Sequence, residues 1–309
     1  MTQAFVFPGQ GSQAVGMGAA FINQFAQARQ VMEELDHVLG EKLSDLIAEG
    51  PLETLTLTHN TQPALLAVSI AVLRVMESEL GPIHAFASYA AGHSLGEYTA
   101  LCAAGVLSFA DAVRLVRLRG KAMQDAVPVG KGAMAAVLGL EIDQVEALLE
   151  FSTPENMCVI ANDNSPGQVV ISGHTDAVNT AMIKAQQAGA KRALLLPVSA
   201  PFHSPLMQPA ADIMAEAFQD VSFYAPKIPV ICNITALPSD DPIMIKNLLV
   251  QQVTGRVRWR ESVENLVRFG VSSFVEIGAG KILTGLNKRI VADGTAFSVN
   301  VPDDLKAWN

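Results

Sequence analysis

A serine set between two glycines, in the stretch AAGHSLGEYTA at residues 90–100, constrains the fold more than any other feature of the sequence. Apolar residues precede Ser94, and a helix-like pattern follows it. A G-x-S-x-G spacing at such a junction is typical of a strand-to-helix elbow, which projects the serine hydroxyl from a strained turn. The missing Cβ atoms at Gly92 and Gly96 would let the strand and the helix approach closely. Because the same spacing also occurs by chance, an ordinary glycine–serine turn stays an alternative at this point.

The composition is that of a folded protein with a large core. The chain has 309 residues, of which 50% are hydrophobic and 17% are charged, which argues against disorder. No apolar run reaches the roughly 20 residues of a membrane-spanning helix, and the N-terminus lacks the basic segment of a signal peptide. The three widely spaced cysteines argue against a disulfide framework or a zinc site. We therefore predict a cytoplasmic protein, and the net charge of −9 disfavours nucleic acid as its partner.

The order of strand-like and helix-like segments divides the chain into two parts. Strand-like segments alternate with helical periods over most of the sequence, which predicts a parallel sheet covered by helices. The segment 83–90 is interpreted as the strand before the elbow. The segment 130–198 instead follows the order β-α-β-β-α-β of a ferredoxin-like unit. We predict an α/β core from residues 1–129 and 199–309, with a ferredoxin-like α+β subdomain inserted at 130–198.

Two glycine-rich stretches resemble nucleotide-binding motifs. The stretch GQGSQA at 9–14 fits a dinucleotide fingerprint, but a polar, helical pattern follows where a second strand with an acidic residue is needed. The stretch GAGK at 278–281 lacks the rest of a P-loop. We interpret both as turns, and the first could present bare backbone N–H groups to a developing negative charge.

A serine nucleophile needs a base, and His203 is the candidate that the residues favour. It lies in PVSAPFHSPLM, which three prolines keep extended and stiff, and a serine-then-histidine order suits an elbow enzyme. His93 adjoins Ser94, but neighbouring side chains on a turn diverge, so a structural role is favoured for it. His84 would begin the strand, at the end away from the elbow. The remaining histidines lie in polar helical, loop or turn segments: His37, His59 and His174.

A charged residue interrupts the apolar stripe of the helix expected near residues 111–125. Arg119 lies among positions such as Leu115, Val116 and Met123, which repeat at helical spacing. A buried guanidinium cannot lose its charge, and leaving it unpaired costs several kcal/mol. It therefore needs a carboxylate, and both an internal Asp or Glu and a substrate carboxylate remain open.

Eight motifs together carry a resemblance to a known family. They are FVFPGQGSQ, NTQPAL, GHSLGEYTAL, RLRGKAMQ, GAMAAVLGL, NDNSPGQVVISG, PVSAPFHSPLM and EIGAGKILTGL. In this order the chain resembles malonyl-CoA:acyl carrier protein transacylases over nearly all its length. The resemblance implies a hydrolase-like α/β core with a ferredoxin-like insertion, and transfer of a malonyl group to the phosphopantetheine thiol of acyl carrier protein in fatty acid biosynthesis.

The resemblance also implies roles for residues at matching positions. Ser94 resembles the acylated nucleophile, and His203 resembles its base. The backbone N–H groups of Gln10 and Leu95 are similar to the oxyanion hole. Arg119 is similar to the arginine that binds the malonyl carboxylate. No metal ion and no bound cofactor are implied.

Further positions of the sequence also match the family. A backbone carbonyl next to a glutamine orients the histidine in the family, and that glutamine best matches Gln252, with Gln251 as the alternative register. Asn162 and Asn164 resemble positions near the CoA site. Phe202 resembles the bulky ring that crowds the α-carbon in malonyl-type enzymes.

An acidic carrier protein and an acidic enzyme need a local basic patch to dock. The candidates are two pairs of adjacent basic residues: Lys191 with Arg192, and Lys288 with Arg289. Two other functions stay open beside the transferase. A serine hydrolase would turn over malonyl-CoA without carrier protein, and a non-catalytic acyl-binding module would form no covalent adduct.

Overall fold

Ten strands form two separate sheets in the computed structural model, which describes residues 2–198 and 200–308. The strands are β1 (Thr2–Phe7), β2 (Tyr89–Gly92), β3 (Gly132–Leu138), β4 (Cys158–Ser165), β5 (Gln168–His174), β6 (Arg192–Leu195), β7 (Val230–Ile231), β8 (Pro238–Ser239), β9 (Val271–Ile277) and β10 (Thr295–Val299). The domain boundary predicted at residue 199 lies outside the described residues, as do the two chain ends. The boundaries therefore stay a prediction.

Thirteen α-helices surround these sheets within the described residues. They are α1 (Ala19–Gln24), α2 (Ala26–Leu39), α3 (Leu43–Glu49), α4 (Leu52–Thr56), α5 (Thr58–Leu80), α6 (Leu95–Ala103), α7 (Phe109–Asp125), α8 (Ile142–Leu148), α9 (Thr175–Gln187), α10 (Gln208–Ala217), α11 (Pro242–Thr254), α12 (Trp259–Arg268) and α13 (Ile282–Ile290). Apolar residues repeat at helical spacing over residues 21–47 and 64–80 of the sequence, and these segments correspond to α1 to α3 and to α5. None of the helices described here is both long enough and apolar enough to cross a membrane.

The first sheet has the strand order β10-β9-β1-β2-β7-β8, with β1 at its centre. Every pairing from β10 to β7 is parallel, and only β8 runs antiparallel. Phe5 and Phe7 of β1 pack into the core that contains α5 and α7, whereas Ala4 and Val6 pack against α12 and α13. Both faces are covered, which explains why β1 is apolar at successive positions. The predicted α/β core with a parallel sheet is confirmed.

The second sheet has the order β4-β5-β3-β6, and all its pairings are antiparallel. Val137 and Ile171 face α8 and α9 and share a small core with them. Met134 and Val170, on the opposite face, pack into the main core. Strand alternation thus gives this sheet one face for its own helices and one for the rest of the molecule. The predicted ferredoxin-like unit is confirmed.

The expected strand at 83–90 is wrong over its first half. Residues Ile83–Ala85 form a short 3₁₀ turn, and β2 begins only at Tyr89. His84 therefore lies in a turn. Helix α5 ends at Leu80, and Gly81 follows it with a positive φ. The Pro82 ring then fixes the backbone before this turn, and the backbone N–H of Ile83 donates to the Glu77 side chain at 3.0 Å. Strand β10 and helix α12 were not predicted, although Trp259, Val263 and Leu266 of α12 repeat at helical spacing.

Candidate active site

Ser94 lies on a strained turn between β2 and α6. Its backbone has φ 53° and ψ −109°, in a region that residues with a Cβ rarely adopt. A Cβ added at Gly92 would collide with the carbonyl group of Gly96, and one added at Gly96 would collide with that of Phe7. The two glycines are therefore required by the close approach of strand and helix. The serine is aimed out of the carboxyl edge of the sheet.

The Ser94 hydroxyl is hydrogen bonded to the imidazole of His203. The distance from Oγ to Nε2 is 2.7 Å, although 109 residues separate the two in sequence. On the other side of the ring, Nδ1 donates to the backbone carbonyl of Gln252 at 2.9 Å and lies 3.1 Å from that of Gly255. Nε2 is therefore left as a hydrogen-bond acceptor towards the serine. The carbonyl that His203 contacts is thus that of Gln252, whose side chain is fully buried, whereas the side chain of Gln251 is exposed.

Burial keeps the imidazole neutral. Desolvation, and after it the positive charge of Arg119, lowers the pKa of His203 from 6.5 to about 3. At neutral pH the ring can therefore accept a proton from Ser94. His203 also has a positive φ of 56°, so both members of the pair sit in strained backbone conformations.

Arg119 is buried on α7 and is surrounded by neutral partners. It donates to Oε1 of Gln62 at 2.8 Å, to Oε1 of Gln252 at 2.9 Å and to Oγ of Ser94 at 3.1 Å. Its guanidinium lies 5.5 Å from the centre of the Tyr98 ring. No carboxylate of the described residues forms an ion pair with it, and burial lowers its pKa. The positive charge of Arg119 therefore has no negatively charged hydrogen-bond partner among the described residues.

Two backbone N–H groups flank the serine. Leu95 is the first residue of α6, where the helix leaves its N–H groups without internal acceptors. Gln10 lies in the turn after β1, and both residues line the same cavity as Ser94. Within residues 2–198 and 200–308, neither backbone N–H has a hydrogen-bond acceptor. The two groups are free to bind an oxyanion.

The cavity over Ser94 has a volume of about 320 Å³ and lies between the two sheets. Met134 and Val170 of the second sheet form one wall, and Ile282 and Leu286 of α13 form another. Phe202, next to His203 in sequence, is 7% exposed and lines the same space. The cavity is mostly apolar, with its polar groups gathered at the serine, as in small-molecule sites generally.

His93 lines the same cavity as Ser94, but its ring is bonded to the second sheet. Its Nε2 lies 2.8 Å from Oδ1 of Asn164 and 3.3 Å from Nδ2 of Asn162, both on β4. The histidine is therefore held against the second sheet and not against the serine hydroxyl. Burial lowers its pKa, so the ring is neutral.

Two buried residues near the serine were not singled out from the sequence. Glu97 of α6 accepts hydrogen bonds from the Gln252 side chain at 2.7 Å and from the backbone N–H of Asn233 at 3.0 Å. Oδ1 of Asn233 in turn accepts from the backbone N–H of Ser94 at 2.8 Å. Burial raises the pKa of Glu97 to about 7. An acidic residue inside an apolar helix was the available signal for Glu97, and it is the same signal that marks Arg119.

The remaining predicted positions lie around the cavity entrance or outside it. Lys191 and Arg192 lie at the start of β6, and Lys288 and Arg289 lie in the last turn of α13, all four exposed. Both elements lead to cavity-lining residues. The GAGK stretch is the turn between β9 and α13. In the described part of the chain, no three His, Cys, Asp or Glu side chains are grouped to hold a metal ion.

Comparison with known proteins adds to this geometry. Residues 4–297 match the family model of the acyl transferase domain. The chain is 47% identical over 308 residues to the malonyl CoA-acyl carrier protein transacylase of Salmonella typhimurium, covering 99% of each chain. The acyl-carrier-protein-S-malonyltransferase of Bartonella henselae has 55% identity and a TM-score of 0.98, covering 100% of this chain and 98% of that one. A type II PKS acyl-carrier protein in complex with its malonyl-transacylase has 44% identity and a TM-score of 0.96, with 99% and 98% coverage.

Proposed function

We propose that this chain, which belongs to the acyl transferase domain family, transfers a malonyl group from CoA to the phosphopantetheine thiol of acyl carrier protein in fatty acid biosynthesis. The observation that carries the proposal is the buried guanidinium of Arg119, 3.1 Å from the Ser94 hydroxyl and without a carboxylate partner among the described residues. An acyl group that ends in a carboxylate supplies the missing charge. A malonyl group bound as a thioester is such a group, and the similar proteins described above are malonyl transferases by name.

In the first half of the reaction, Ser94 becomes acylated. Nε2 of His203 takes the hydroxyl proton while Oγ attacks the thioester carbonyl. The backbone N–H groups of Gln10 and Leu95 bind the resulting oxyanion, and each such donor is worth about 3 kcal/mol in the transition state. The carbon–sulfur bond then breaks, and CoA leaves as a thiol with the proton that His203 carried.

In the second half, the carrier protein takes the place of CoA. The phosphopantetheine thiol gives its proton to His203 and attacks the malonyl-serine ester at the same carbonyl. The bond from that carbonyl to Oγ breaks, and Ser94 recovers its proton from the imidazole. One serine, one histidine and one oxyanion site thus serve both halves, which is a ping-pong mechanism.

Arg119 gives the site its preference for malonyl over acetyl groups. A substrate carboxylate can accept two parallel N–H bonds from a guanidinium, and such charge-assisted bonds are stronger than those to neutral acceptors. The amides of Gln62 and Gln252 hold the guanidinium in the cavity until the substrate arrives. Phe202 crowds the space beside the acyl α-carbon.

The outer part of the cavity takes the CoA or pantetheine arm. Asn162 and Asn164, which hold His93 against the second sheet, lie where that arm passes. The carrier protein docks at the exposed basic pairs of residues 191–192 and 288–289. We place the enzyme in the cytoplasm, which is consistent with its three free cysteines.

Intact-mass spectrometry tests the proposal. Mixing the protein with malonyl-CoA alone should give one malonyl adduct on the enzyme. Adding the carrier protein with its phosphopantetheine arm should remove that adduct and place it on the carrier. Release of free malonate without carrier would indicate a hydrolase, and binding without any adduct would indicate an acyl-binding module.

A further inference from the structure

Glu97 is a buried carboxyl group that has no part in the mechanism above. It lies in the first turn of α6, three residues after Ser94, and is 1% exposed. Its Oε2 accepts hydrogen bonds from Nε2 of Gln252 at 2.7 Å and from the backbone N–H of Asn233 at 3.0 Å. Its Oε1 has no hydrogen-bond partner in the part of the chain that the structure describes. A buried carboxyl is costly, so its presence calls for an explanation.

The two donors to Glu97 also hold the backbone of Ser94 from both sides. Oδ1 of Asn233 accepts from the Ser94 N–H at 2.8 Å. Nε2 of Gln252 donates to the Ser94 carbonyl at 2.9 Å. One carboxylate oxygen thereby connects both supports of the strained turn.

Gln252 links this arrangement to the guanidinium. An amide side chain has an acceptor end and a donor end, and only one orientation suits its surroundings here. With Nε2 towards Glu97, Oε1 faces Nη2 of Arg119 at 2.9 Å. The reversed amide would place its NH₂ group against the guanidinium and its oxygen against the carboxylate, and both contacts are repulsive.

We propose that Glu97 is a positioning residue for carboxylate selection: by accepting the Gln252 amide it fixes the orientation that holds Arg119 ready for the substrate. This inference rests on the proposed function. What matters for this role is an oxygen that accepts the Gln252 hydrogen bond, placed at the distance that a glutamate side chain reaches. A negative charge acting at a distance on Arg119 would be a different role, with different consequences for substitution.

Two variants separate the effect of side-chain length at position 97 from the effect of its negative charge. Glu97→Gln keeps the reach and one acceptor oxygen but removes the charge, and its new NH₂ group takes the place of the unpartnered Oε1. Glu97→Asp keeps the charge but withdraws the carboxylate from Gln252 by one methylene. The quantity to measure is the ratio of kcat/KM for malonyl-CoA to that for acetyl-CoA, together with Tm.

We expect Glu97→Gln to keep this ratio within about threefold of wild type, whatever its Tm. Glu97→Asp should lower it about tenfold or more, with the loss mainly in KM for malonyl-CoA. Any other order overturns the inference: a wild-type ratio in Glu97→Asp, or an equal loss in both variants. A structural role alone would slow both substrates equally and leave the ratio unchanged.

Glu276 offers a matched control. It is a fully buried glutamate on β9 whose oxygens accept from the backbone N–H groups of Leu283 and Thr284. Glu276→Gln makes the same chemical change away from Arg119, so it should change Tm and not the ratio. The wild-type protein in the same assay separates the two claims. If wild type does not transfer malonyl to carrier protein, the proposed function fails; if it does and the variants disagree, only the role of Glu97 fails.

Discussion

Two arginines of this protein show opposite treatments of a buried charge. Arg260 of α12 donates to Asp163 of β4 and to Glu264, each at 2.8 Å, and is 22% exposed. Arg119 of α7 is only 1% exposed, yet its hydrogen-bond partners are two amides and a hydroxyl. The more deeply buried guanidinium, that of Arg119, is therefore the one without a carboxylate partner among the described residues.

The pKa values of the two groups follow this difference. Burial lowers the pKa of Arg260, but hydrogen bonds and charges from Asp163 and Glu264 outweigh it and raise the value overall. Burial also lowers the pKa of Arg119, and nearby Tyr98 and Glu97 only partly offset it. A fold selected for stability alone would pair such a charge. The Arg260 cluster is built for stability, whereas the Arg119 charge has only neutral hydrogen-bond partners, as the proposed carboxylate-binding role requires.

The largest expected effect tests whether the Arg119 region is specialised for chemistry. Ser94→Ala should abolish the malonyl adduct, since Ser94 is the only hydroxyl bonded to His203 in the described residues. The substitution removes only the hydroxyl and keeps the Cβ, so the strained backbone is unchanged and Tm should stay close to the wild-type value. Intact-mass spectra and a melting curve check both parts. An undiminished adduct would place the nucleophile elsewhere.

The next effect concerns the base of the same region. His203→Ala should slow acylation about a hundredfold or more, the usual contribution of a positioned general base. Rapid-mixing measurement of CoA release gives the acylation rate. His93→Ala is the matched control, because that histidine lines the same cavity without bonding to the serine. A larger loss in the control would show that the wrong base was assigned.

Arg119→Ala tests the comparison directly. The substitution removes charge-assisted hydrogen bonds worth about 1.5–3 kcal/mol each. The kcat/KM for malonyl-CoA should fall at least about tenfold to a hundredfold, at about 1.4 kcal/mol per decade. The rate with acetyl-CoA should hold or rise, because acetyl has no carboxylate to lose. Equal losses for both substrates with a large fall in Tm would make Arg119 a structural residue like Arg260.

A pH profile sharpens the comparison further, because the unbalanced charge also acts on His203. Burial and then the Arg119 charge hold the pKa of His203 near 3, so its neutral form persists as the pH falls through 6.5. Wild-type kcat/KM should therefore stay level between pH 8 and 5 and decline only at lower pH. In Arg119→Ala the decline should begin at a higher pH. A wild-type decline centred at pH 6.5 would contradict the assignment.

The smallest effect is expected at the balanced charge. Arg260→Ala leaves the buried Asp163 carboxylate without its main partner, which should cost about 1–3 kcal/mol of unfolding free energy. Partial exposure of the pair keeps the loss at the lower end of that range. Chemical denaturation measures it. The ratio of malonyl to acetyl transfer should not change, and a changed ratio would remove the distinction between the two arginines.

The sequence predicted the parts of the site whose signals are local. Helical periodicity placed Arg119 on the apolar face of α7, and the structure finds it fully buried there. The glycines at 92 and 96 indicated the elbow because a Cβ at either would meet backbone. These features follow from a few neighbouring residues, so a pattern is enough to find them.

The parts that sequence could not reveal depend on distant contacts. The carbonyl that orients His203 comes from Gln252, and only the buried face of α11 distinguishes it from exposed Gln251. Asn233 supports Ser94 across 139 positions. The ring of His93 is held by Asn164, 71 positions further along the chain. The spacing of apolar residues along the sequence does not show which buried side chains come into contact across such distances.

The central place of β1 in its sheet has a consequence for synthesis on the ribosome. Strand β1 emerges first and gains its neighbour β2 by residue 92, but its other neighbour, β9, ends at residue 277. At 5–20 residues per second, the interval is about 10–40 s. During that time one edge of an apolar strand carries unpaired N–H and C=O groups, which favour pairing with other chains. Until β9 is synthesised, strand β1 is therefore a site at which the nascent chain is open to aggregation and to chaperone binding.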